Sequence, residues 1–136
     1  MKNYMVLPLL LAVSSTVAPA FANVPGETPD AILGTDNNDA HFFLTFALVR
    51  NESIDIIVQP ERRARGHVLA CALTLASTEA GAQGTVQATD SGRSCHIALT
   101  GSGMRQYVLH VTNLDQQHPH EIYIDMTRGT TPQSER

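Results

Sequence analysis

The chain has 136 residues, with nine lysines and arginines against thirteen acids, two cysteines and no tryptophan. That length suffices for one domain with a single core. The mild acidity argues against binding to nucleic acid or to an anionic membrane surface, which both call for clustered basic charge.

Residues 1–22 read as an export signal. Lys2 supplies a positive start, and an apolar run broken only by Pro8 covers residues 5–13. Small residues follow, and Ala20-Phe21-Ala22 has the small-x-small pattern of a cleavage site, so the cut is predicted after Ala22. The apolar run falls short of the roughly 20 residues that cross a bilayer, so no membrane insertion is expected after cleavage. The expected location is the periplasm or beyond. Cleavage takes away the one lysine and leaves eight arginines against thirteen acids. In an oxidising compartment, Cys71 and Cys95 read as a structural disulfide rather than a redox or metal pair.

Residues 23–38 carry Pro25, Gly26, Pro29, Gly34 and a polar run from Thr35, and read as an irregular lead-in. A sandwich domain is expected over residues 39–128. Its first run, 41–49, aligns Phe42, Leu44, Phe46 and Leu48 on one face. Asn51 and Glu52 signal a turn, and Ile54, Ile56 and Val58 align in the second run, which Pro60 ends. A charged loop at 61–66 follows. The third run, 67–76, aligns Leu69, Cys71, Leu73 and Leu75. A turn at 79–83 leads to a fourth strand at a sheet edge, 84–89, and residues 90–92 form another turn. The fifth run, 94–100, aligns Cys95, Ile97 and Leu99; after Gly101-Ser102-Gly103 the sixth, 106–112, turns Tyr107, Leu109 and Val111 inward. A polar loop at 113–119 precedes the seventh, 120–127, with Ile122, Ile124 and Met126 inward. Residues 129–136 form a flexible tail. Each cysteine shares parity with the apolar residues of its own strand, so both point into the core, where they can pair. The fold class is all-β: an antiparallel β-sandwich of seven to eight strands with one disulfide.

The segment Asp39-Ala40-His41-Phe42-Phe43-Leu44-Thr45-Phe46 resembles the opening strand of bacterial pre-peptidase C-terminal domains. Residues 103–113 and 121–126 resemble the closing hairpin of that family. The resemblance implies a non-catalytic eight-stranded sandwich. The acidic stretch that often carries calcium in the family is replaced here by His67-Val68-Leu69-Ala70-Cys71-Ala72-Leu73, so calcium binding is not implied.

No catalytic constellation stands out. Ser102 lacks a GxSxG context, and the acids fall on turns and outward positions. His118 and His120 flank Pro119 and supply at most part of a zinc site, while His96 and His110 face outward; all read as solvent-facing, and no metal or cofactor is predicted. Asp36, Asn37, Asn38 and Asp39 lack the spacing of a calcium loop and read as a turn. Arg62, Arg63 and Arg65 form the densest charge on the chain and are the candidate docking site for an acidic protein partner. Ser102 through Tyr107 resembles the Ser-Gly-then-Tyr loop of bacterial lysozyme inhibitors, although three residues separate Gly103 from Tyr107 and strand parity turns Tyr107 inward. The expected function is an exported, non-enzymatic binding module or accessory subunit that engages another protein through its loops. A periplasmic inhibitor of a hydrolase such as lysozyme is one alternative. A small adhesin or pilus-type subunit, completed by a donor strand from residues 23–38, is another.

Overall fold

Period-2 alternation buries one face of each run, and two such faces closed on each other make the fold. The computed structural model describes residues 27–76 and 84–130. The predicted signal at 1–22, the turn at 79–83 and residues 131–136 lie outside them. The strands are β1 (Ala31–Leu33), β2 (His41–Leu48), β3 (Glu52–Pro60), β4 (Leu69–Leu75), β5 (Thr85–Gly92), β6 (Cys95–Thr100), β7 (Arg105–Asn113) and β8 (His120–Thr130). They form two four-stranded antiparallel sheets, ordered β1-β8-β3-β6 and β2-β7-β4-β5. The described residues form an eight-stranded β-sandwich.

The inner faces follow the alternation. Leu48, Ile54, Ile56, Val58, Leu69, Leu73, Leu109, Val111 and Ile122 are all buried, each contributing about 1.5–3 kcal/mol by leaving water. Cys71 on β4 and Cys95 on β6 are bonded across the core, with Cα atoms 6.3 Å apart, so the disulfide ties one sheet to the other.

Three boundaries differ from the sequence reading. Ala31–Leu33 is a strand within the expected irregular lead-in, too short to show a period. Leu33 plugs the core at 1 % exposure, and the Asp30 carboxylate accepts the Ile124 N–H at 2.6 Å, which holds the segment on β8. β5 runs through the expected turn at 90–92, because Asp90 and Ser91 lie opposite Cys71 and Ala70. β8 continues into the expected tail, where Gly129 and Thr130 lie opposite Ser53 and Glu52.

Most connections pass from one sheet to the other, and they gather at two ends. One end carries the segments 34–40, 61–68, 93–94 and 114–119. The other carries 49–51 and 101–104. At the second end Asn51 takes φ 66°, a left-handed conformation that asparagine accepts more readily than most residues and that makes the predicted turn tight.

Candidate functional site

The end that carries 61–68 and 114–119 holds a cleft of about 800 Å³ lined by Arg63, Arg65, His67, Gln117, His118 and His120. Its floor is built on His120, the first residue of β8. Having the parity of Ile122, it points inward and is 5 % exposed. Nδ1 lies 2.7 Å from Glu61 Oε2 and Nε2 lies 2.9 Å from Asp115 Oδ2. Two carboxylates accept only, so both ring nitrogens donate and the ring is an imidazolium. Burial pushes the His120 pKa down, but the hydrogen bonds and charges of Asp115 and Glu61 outweigh it and the net shift is upward. With both nitrogens engaged, His120 has none left to take a proton from a substrate. It joins loops rather than acting as a general base.

The partners of His120 are themselves held. Glu61 Oε1 accepts the Glu121 N–H at 2.8 Å, and the Glu61 N–H donates to the Glu121 carbonyl at 3.1 Å. Asp115 Oδ1 accepts the N–H groups of Gln117 at 2.9 Å and His118 at 3.2 Å, an Asx-type turn. The Gln117 N–H, then His120 and His118, hold the Asp115 carboxyl down at about 2. Asn113, 6 % exposed, donates to the carbonyls of Gly34 at 2.9 Å and His118 at 3.1 Å and accepts the Asp115 N–H at 2.9 Å. One buried amide thus binds the 34–40 and 114–119 segments together.

The arginine loop is fixed to this floor. The Arg93 guanidinium donates to the carbonyls of Ala64 at 2.9 Å, Arg62 at 3.1 Å and Glu61 at 3.3 Å. Ala64 is tucked into the core at 2 % exposure, and Gly66 closes the turn at φ 81°, where a side chain would be strained. Arg65 folds back onto the carbonyls of Arg62 and Ala64. Arg62 and Arg63 point into solvent, and neither side chain has a hydrogen-bonding or ionic partner among the described residues.

The predicted partner-binding residues do not come together. Arg62, Arg63 and Arg65 lie at the cleft end, whereas Ser102 is exposed at the opposite end of the sandwich. Tyr107 is a core residue, 3 % exposed, with its ring stacked on Phe46 at 5.7 Å. This is the inward position that strand parity gave it, in a strand that begins at Arg105, and it takes Tyr107 out of the set of residues a partner could touch. His118 is exposed as expected, but His120 is not, contrary to the solvent-facing reading; its parity with Ile122 was the signal that could have found it. Arg93 was also missed, since nothing in the sequence ties it to a loop some 30 residues earlier. Among the described residues no group of three or more histidines, cysteines and acids converges as for a metal ion. No helix of the described residues is long and apolar enough to cross a membrane.

No protein-family model matches the chain, and neither a curated protein nor a solved structure matches it.

Proposed function

We propose that this protein is an exported, non-catalytic binding module that engages an acidic surface of another protein through the loops around Arg62, Arg63 and Arg65. The observation that carries the reading is the contrast within one loop. Its backbone is clamped by Arg93 and its Ala64 is buried, while the Arg62 and Arg63 guanidiniums have no partner among the described residues. A loop held rigidly loses little entropy when it binds. Guanidinium groups match carboxylates in bidentate pairs, which lysine does less well. The resemblance to pre-peptidase C-terminal domains favours the same non-catalytic class, and the full engagement of His120 weighs against acid–base chemistry in the cleft.

Two other expectations fare less well. An inhibitory loop needs Tyr107 on the surface, and Tyr107 is buried. A donor-strand subunit needs the lead-in free to leave, whereas Ala31–Leu33 already pairs with β8 of its own chain.

The test replaces Arg62, Arg63 and Arg65 together with serine. Arg62 and Arg63 have no partner to lose among the described residues, and Arg65 gives up only hydrogen bonds to two carbonyls of its own loop, so the thermal midpoint should change little. Association with a partner captured from envelope extract should slow, most clearly at low salt. Equal rates at every ionic strength would refute the assignment of the loop.

A further inference from the structure

The outer face of the β2-β7-β4-β5 sheet carries a cluster that serves neither the core nor the cleft. His41 and Phe43 stand on β2 opposite Thr112 and His110 on β7. His41 Nδ1 lies 2.9 Å from His110 Nε2, and Thr112 Oγ1 lies 3.3 Å from the first and 3.2 Å from the second. Phe43, 60 % exposed, stacks on the His110 ring at 4.3 Å and fixes its plane.

We propose that His41 and His110 form a surface site for a divalent transition-metal ion of the imidazole-preferring class, copper(II) foremost. Three donor atoms, two from neighbouring outward positions of β7 and one from β2, close a triangle with sides near 3 Å. Two nitrogens 2.9 Å apart, each about 2.0–2.1 Å from one ion, subtend about 90° at it. Copper(II) takes imidazole nitrogen and oxygen donors in tetragonal sites with neighbouring ligands about 90° apart. Copper(II) also heads the affinity order of the divalent first-row ions for nitrogen and oxygen donors. Thr112 contributes a hydroxyl oxygen beside the two nitrogens, and the exposed face admits water to the remaining positions.

The other histidines are differently engaged. A carboxylate lies on one ring nitrogen of His96 (Asp55 on Nε2) and of His118 (Asp115 on Nδ1), and carboxylates occupy both nitrogens of His120. His67 bonds to Ser91. The outward positions beside the pair, among them Thr45, Ala70, Ala72 and Val108, carry no charge that would repel a cation or draw it aside. The site is independent of the arginine loop, which lies at one end of the sandwich.

The experiment titrates copper(II) into the full chain, without any added histidine tag, and follows it by electron paramagnetic resonance. The expected result is one equivalent bound, with hyperfine coupling to two imidazole nitrogens. His41→Gln and His110→Gln should each weaken binding by about tenfold or more, while His118→Gln should leave it unchanged. Both substitutions are at solvent-accessible positions, and an unaltered thermal midpoint for each shows that the fold persists. No bound copper, or copper held equally well by the His41→Gln and His110→Gln variants, would overturn the proposal and leave the pair a simple hydrogen bond.

Discussion

His120 joins β8 to both loops of the cleft, and its charge makes that junction depend on pH. The folded state raises the pKa of His120 and lowers that of Asp115 to about 2. A raised histidine contributes stability that is fully present below its unfolded value of about 6.5 and is lost as pH rises through the folded value. A depressed aspartate contributes stability that is present above its unfolded value near 4 and is lost as pH falls towards 2. Stability from this cluster should therefore be greatest between about pH 4 and 6.5 and decline on both sides. His120→Gln should cost about 1–3 kcal/mol at pH 6, since the two carboxylates lose a charged donor. Urea midpoints measured from pH 4 to 9 check this: the variant should lose much of the wild-type decline above pH 6.5. Parallel wild-type and variant curves would contradict the charged bridge.

At the scale of elements, the arginine loop and the inter-sheet disulfide make separate predictions. Arg93→Ala removes the donor shared by three loop carbonyls, at a cost of about 0.5–1.5 kcal/mol. The effect should be local. Hydrogen exchange at the Ala64 amide, which donates to the Glu61 carbonyl at 3.1 Å, should accelerate while the β4 and β7 amides stay protected. Cys71→Ala unties the two sheets and should lower stability by about 2–5 kcal/mol, measured by chemical denaturation.

How much of this was legible in the sequence follows from the range of each interaction. Alternation within a run fixes which face is buried, so Phe46, Ile56, Leu73, Leu109 and Ile122 were read correctly, and so was the shared inward parity of Cys71 and Cys95. Strand ends are set by partners elsewhere in the chain. Asp90 and Ser91 look like a turn alone and become strand because β4 lies beside them. The cleft was legible only in its arginines. Its histidine and the Arg93 clamp depend on contacts between segments far apart in sequence. The His41 and His110 pair arises from the antiparallel register of β2 and β7, which no local pattern reveals.

On the scale of the whole molecule, arginines stand at both ends of the sandwich. The outer face of the first sheet presents Asp55, Glu121 and Asp125; Arg62, Arg63, Arg65 and Arg93 share one end with Glu61 and Asp115, and Arg50 and Arg105 stand at the other. Exposed guanidiniums clustered in one loop attract a complementary partner before contact, and this acts on association rate more than on final affinity. Dissociation should therefore change less than association when the arginines are removed.

The most direct measurement compares the association rate constants of the wild type and the Arg62→Ser, Arg63→Ser, Arg65→Ser variant for the partner that each captures from envelope extract, across a range of ionic strength. Wild-type association should be faster at low salt, with the two rates converging as salt approaches about 1 M, where screening acts over roughly 3 Å. Identical rates at every salt concentration would contradict it and move the interface away from this end of the sandwich.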